Sequence, residues 1–241
     1  TRGMRIYLAT PRLRGLLSLN FSAAAAGAMV LVNTVLIIQG KLELGVTEVA
    51  ITLSAFGGGS MLAAIVLPRL LSKRPDRKIM LSGTAVIVTT LFGLAIYIET
   101  FGLNWSAILA GWFIIGLGYS TILTPSGRLL KRSAHSEDRP AIYAAQFALS
   151  HACWLITYPL AGWLITVSTP TITLLILAIL ATAGLVTGAW LWPYGDSRAM
   201  PHSHTDLPDD HPHLLGKHPH KHPIVIDDYH PQWPRRDGVN G

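Results

Sequence analysis

Six stretches of the chain are continuously apolar, and short polar turns separate them. They cover residues 13–39, 46–71, 79–98, 105–123, 141–167 and 171–192. Each reaches the roughly 20 residues that a helix needs to cross about 30 Å of hydrocarbon. The pattern therefore predicts an all-α, polytopic membrane protein with six transmembrane helices. Because the connections are short, successive helices run antiparallel. The fourth and fifth stretches, joined through the basic turn around Arg128 and Arg139, carry the most unusual residues and organise the rest.

Composition agrees with lipid as the main solvent. Hydrophobic residues make up 50% of the chain and charged residues 13%, where a soluble domain carries about 25%. The sign of the charge then sets orientation. Of nineteen Lys and Arg residues, only Lys41 falls in a connection on the second side of the membrane. The first side holds Arg2, Arg5, Arg12 and Arg14, the 69–78 turn and the 128–139 turn, together with the tail. The second side carries Glu43, Glu48 and Glu99. By the positive-inside rule both termini are cytoplasmic in a multi-pass membrane protein. The net charge of +6 borders apolar spans, which favours anionic lipid headgroups over nucleic acid as its partner. A single cysteine, Cys153, excludes an internal disulfide. No short apolar core followed by a small-residue cleavage site is present, so no cleavable signal peptide is expected.

Domain organisation follows as a cytoplasmic flank (1–12), a six-helix bundle (13–192) and a His/Pro/Asp-rich cytoplasmic tail (193–241). Small residues mark packing seams, because backbones approach closely only where side chains are short. They include Ala55, Gly59 and Ala63 in the second span, Gly116, Ser120 and Thr124 in the fourth, and Gly184 with Gly188 in the sixth. Trp105, Trp112, Trp163, Trp190 and Trp192 fall near span ends, where amphipathic rings lie at the interface. Pro125 and Gly127 are expected to end the fourth helix. Ser136 or Asp138 is expected to cap the fifth, with Pro140 in its first turn.

Polar groups inside a bilayer are costly, so they pair with one another or line a cavity. The candidates for a substrate or proton pathway are Asn33, Gln39, Ser120, Thr124, Tyr143, Gln146, Ser150 and His151. Asn20 and Thr34 on the first span and Thr121 on the fourth are further buried polar residues, and for Asn20, Ser120 and Thr121 hydrogen-bonding glue between helices is the favoured reading. Tyr143, Gln146 and Ser150 share a helical face. His151 is the ionisable side chain nearest the middle of any span. Histidine titrates near neutrality and can carry a coupled proton, or it can rest neutral against a carbonyl. No Asp or Glu lies deep in a span, so a carboxylate relay is not encoded.

The tail adds His202, His204, His211, His213, His218, His220 and His222, borderline ligands suited to nickel, zinc or copper. They lack the compact closed set of a structural zinc site. The reading is a mostly disordered segment that binds a divalent metal loosely, with residues 224–233 able to dock on the bundle. No other cofactor is called for. No Gly-x-x-x-x-Gly-Lys loop supplies ATP chemistry, and Ser150 and His151 point about 100° apart on a helix. The chain reads as a non-enzyme.

Two segments carry a family resemblance. The 68–78 turn, Pro-Arg-Leu-Leu-Ser-Lys-Arg-Pro-Asp-Arg-Lys, is similar to the Gly-x-x-x-Asp-Arg-x-Gly-Arg-Arg motif between the second and third helices of a major facilitator superfamily half. Lys73, Arg77 and Lys78 match its basic positions, whereas Pro68, Ser72 and Pro75 stand for its glycines and its aspartate. The 116–140 stretch resembles bacterial drug- and metal-exporting members, some of which end in histidine-rich tails. The resemblance implies the C-terminal half of a secondary exporter, built as a three-plus-three inverted repeat. It implies a cytoplasmic gate around Lys73, Arg77, Lys78, Arg128, Asp138 and Arg139. Substrate would then lie between this half and a partner, either a missing N-terminal half or a second copy. The abrupt Thr1-Arg2-Gly3 start favours the missing half. The cargo is expected to be a small molecule carried against protons. The alternatives are a divalent metal handled with the tail, or a membrane-anchored metal-binding or sensing protein.

Overall fold

The computed structural model describes residues 2–194, 200–202, 220–222, 225–226 and 233. Its helices are α1 (Arg2–Ala9), α2 (Pro11–Val35), α3 (Val46–Lys73), α4 (Asp76–Phe101), α5 (Trp105–Lys131), α6 (Arg139–Val167) and α7 (Pro170–Leu191). A π-helical turn, Leu36–Lys41, extends α2. Six of these, α2 with its π turn and α3 to α7, are long and apolar enough to cross a membrane. They coincide with the six stretches expected from the sequence. Two three-residue strands, β1 (Met200–His202) and β2 (His220–His222), pair antiparallel.

Local chemistry explains the breaks. Pro75 pushes Arg74 into extended backbone, stopping α3, and then leads α4. Gly102, at φ 83°, ends α4 by turning left-handed at no steric cost. Asn104 caps α5, its Oδ1 accepting from the Ala107 N–H at 2.9 Å. Thr169 caps α7 by accepting from the Ile172 N–H at 3.2 Å.

Several boundaries differ from expectation. The 1–12 flank contains α1, whose Tyr7 is fully buried, so this segment is packed structure. Pro125 does not end α5, which runs on to Lys131. A proline removes one backbone donor and bends a helix, but Pro125 is itself buried and the turns on either side are held by packing. Asp138 stands at the α6 N-cap position without capping, because Arg2 takes its carboxylate. Trp112 and Trp192 are buried rather than interfacial. Trp112 donates its indole N–H to Thr34 Oγ1 at 2.8 Å.

The packing has an internal symmetry. α3 leans on α5, and α6 leans on α2; α2 pairs with α7, and α5 pairs with α4; α4 meets α7. Exchanging α2–α3–α4 for α5–α6–α7 maps this set of pairings onto itself. That is the signature of the three-plus-three repeat, carried by topology where residue identity does not carry it. Gly59 and Gly116 make the α3–α5 seam reciprocally. A Cβ at Gly59 would strike the Phe113 carbonyl, and one at Gly116 would strike the Phe56 carbonyl. α2 is the centre of the bundle, with Leu13, Leu16, Leu19 and Met29 fully buried.

Candidate functional site

At the basic end of the bundle one carboxylate organises the helix ends. Asp76, the first residue of α4, is 2% exposed. Arg128 of α5 bonds one of its oxygens. Arg132 Nη1 lies 3.2 Å from the other, pairing by charge without hydrogen-bond alignment. Arg128 also donates to the Leu71 carbonyl of α3 at 3.5 Å. Asp76 thus ties the α3–α4 turn to the end of α5, which exists only because α5 continues past Pro125. Arg77 plays another part. It is buried and donates to the Trp192 and Ala189 carbonyls at 2.7 and 2.8 Å, satisfying the end of α7. Its guanidinium also sits 3.7 Å above the Tyr194 ring.

A second network joins α1 to α6. Arg2 pairs with Asp138 at 2.6 Å. Gly3 lies so close to the Ala141 carbonyl that no Cβ fits between them. The Tyr7 hydroxyl donates to Gln146 Oε1 at 2.5 Å. Burial, reinforced by the Cys153 thiol, pushes the Tyr7 phenol up, so it stays a donor. Nearby, Arg12 donates to Ser133 Oγ at 2.8 Å.

Above this lies an open face on α6. Phe147, His151, Trp154 and Tyr158 follow one another at helical spacing, with ring centroids 3.9, 5.4 and 5.5 Å apart in succession. Phe147 is 65% exposed and His151 is also exposed. On α5 and α3, Tyr119 meets Phe56 edge-on at 5.4 Å, and Gly27 of α2 leaves room for the Tyr119 ring.

Comparison with known families decides what such a bundle is. Residues 16–226 match the Major Facilitator Superfamily. The chain belongs to this superfamily. It is therefore a multi-pass membrane protein of a transporter family. No curated protein matches the chain.

The residues expected at a cytoplasmic gate divide among separate contacts. Arg128 meets Asp76, whereas Asp138 pairs with Arg2. Lys73 and Lys78 are exposed at the rim, with no ion pair among the described residues. Arg139 is half-buried, its Nε without a hydrogen-bond partner among the described residues. Asp76 was legible in one respect: it is the sole carboxylate in a turn with five cations, Arg69, Lys73, Arg74, Arg77 and Lys78.

The expected pathway residues do not form one cluster. Tyr143 donates to the Gly127 carbonyl at 3.0 Å, and Gln146 is engaged by Tyr7. Ser150 and His151 both contact the Phe147 carbonyl, at 3.0 and 2.8 Å. Ser120 and Thr124 lie 3.2 Å apart and bond each other. Asn33 is buried beside Met29, and Gln39 is exposed in the π turn. Asn20, treated as glue, is 3% exposed and neither of its amide atoms has a partner among the described residues. The aromatic column was not anticipated as a unit, although its 4-3-4 spacing stands in the sequence.

In the tail, the strand register places His202 opposite His220, and His222 opposite Met200. His204, His211, His213 and His218 lie outside the described residues. Of the segment expected to dock, Ile226 is buried in the main core, and Trp233 receives the Arg12 guanidinium 5.2 Å from its ring centre.

Proposed function

We propose that this chain is one half of a proton-coupled secondary exporter of a small organic molecule. The observation that carries the reading is the α6 column, in which Phe147 and His151 are exposed and stack in succession with the half-buried Trp154 and Tyr158. Substrate would pass over this column, between the bundle and a partner six-helix half or a second copy. The exposed apolar faces of α3 and α6, with Met61 at 65% and Leu155 at 76%, are where such a partner would lie. Rocking of one half against the other would alternate access, and the Asp76–Arg128–Arg132 network would latch the basic end, assigned to the cytoplasm by the positive-inside rule.

The chemistry of the face favours a flat or apolar organic cargo over a hydrated metal ion. It offers π surfaces and one imidazole, and no carboxylate. A protonated His151 would be held between the Phe147 and Trp154 rings by cation–π attraction. A cargo stacking on the same rings would compete with that state, which is the essence of exchange. Proteoliposome flux under an imposed pH gradient tests the reading. The gradient should drive uptake in wild type and lose its hold in His151→Ala; unaltered pH dependence in the variant removes His151 from the coupling.

A second reading, a divalent-metal exporter or sensor using the tail, rests on the register that sets His202 against His220 with His222 two residues on. Deleting residues 201–241 separates the two. Flux of an organic cargo should survive the deletion, whereas a metal-dependent activity should vanish with it.

A further inference from the structure

α3 and α4 are consecutive, yet they hardly touch, because each leans on α5 instead. Between them runs a groove of about 360 Å³. Its floor is a small apolar cluster, Ala63, Leu67 and Ile79, separate from the main core. Leu62, Val66 and Leu70 of α3 form one wall, and Ser82 and Val86 of α4 form the other. The Ser82 hydroxyl is already spent on the Ile79 carbonyl at 2.7 Å, so the groove presents hydrocarbon. It also lies on the side of α5 that carries Leu117 and Thr121. Tyr119 projects from the opposite side toward Gly27, so the groove is not part of the aromatic face.

The cytoplasmic mouth of this groove is cationic from both walls. Along α3 the stripe Leu62–Val66 continues at helical spacing to Arg69 and Lys73; along α4, Lys78 stands one turn before Ser82. All three cations are exposed and none has an ion-pair partner among the described residues. The one nearby acid, Asp76, is buried and engaged by Arg128 and Arg132. A membrane cannot leave an apolar groove void, since its lining would forfeit its contacts, and an unbalanced basic rim draws anionic headgroups.

We propose that the α3–α4 groove binds one anionic phospholipid, its acyl chain along Leu62, Val66 and Val86 and its phosphate between Arg69, Lys73 and Lys78. The site does not depend on the transport reading above, because it needs only the bundle and the bilayer.

Native mass spectrometry of the full chain, released from micelles holding equal phosphatidylglycerol and phosphatidylcholine with matched acyl chains, tests it. Wild type should retain one phosphatidylglycerol in preference, by about tenfold or more, since each cation near the headgroup contributes about a factor of five. Arg69→Gln/Lys73→Gln/Lys78→Gln should lose the preference. Ser82→Phe, which fills the groove and keeps the cations, should lose the retained lipid. Equal retention of the two lipids by wild type, or an unchanged preference in the triple variant, overturns the proposal. So does displacement of the lipid by glycerol phosphate alone, which would mean that the rim reads a free phosphate.

Discussion

α3 and α6 occupy equivalent places in the two three-helix repeats, and both leave a broad face uncovered. Their open faces differ in kind. α3 shows aliphatic side chains such as Met61 and Ile65, at 65% and 60% exposure, whereas α6 shows the ring column around His151 beside its own aliphatic Leu155 and Ile156. The turns that follow them differ as well. After α3 comes a turn with five cations around the buried Asp76; after α6 comes the two-residue Ser168–Thr169 link, with a hydroxyl cap and no charge. The repeat therefore sets where a helix stands, and the residues on one face set what it can do there. The basic end is tied by Asp76 of the first repeat to Arg128 and Arg132 of the second, and the ring column belongs to the second alone.

The sharpest way to break this contrast is at the two turns. Asp76→Asn should destabilise the bundle by about 2 kcal/mol. Removing one partner of a buried pair costs roughly 3–5 kcal/mol, and the figure is discounted because Arg128 and Arg132 remain partly in water. Thr169→Ala, at the matching turn, should cost only about 1 kcal/mol, the worth of a helix cap. Thermal unfolding in detergent measures both, and equal losses would erase the asymmetry.

The open faces offer a second, smaller contrast. Trp154→Ala should weaken cargo binding about fivefold, the range of about 1 kcal/mol measured for aromatic pairs. Ile65→Ala on α3 should change it less than about twofold. If the two variants weaken binding alike, α6 has no special claim on the cargo. The smallest effect is expected at the bundle axis. Asn20 has a buried amide without partners among the described residues, so Asn20→Leu should leave stability unchanged or raise it by about 1 kcal/mol, because an unsatisfied buried polar group carries a desolvation cost. A loss above about 2 kcal/mol would reveal an ordered water or ligand bound to that amide.

Much of the architecture was legible along the chain. Long uncharged runs can satisfy their backbone in lipid only by bonding within themselves, so the six spans could be read directly. The ion pairs at the basic end were less legible. The family-like motif has Ser72 and Pro75 where an aspartate and a glycine would stand, and the carboxylate that meets Arg128 is Asp76, one residue past the proline. Its role required α5 to continue beyond Pro125, and local propensity argued against that. α1 escaped notice because eight residues make a weak pattern. Its burial comes from Gly3 and Tyr7 fitting one strip of α6.

The sequence by itself determined the solvent, the number of crossings and the basic side, because hydrophobic length and charge placement act locally and need no partner. Only the tertiary structure decided which acid meets Arg128, which polar groups are consumed by neighbours and which rings remain open. Those outcomes depend on distances between residues far apart in the chain, and a side chain's chemistry changes with whatever stands opposite it.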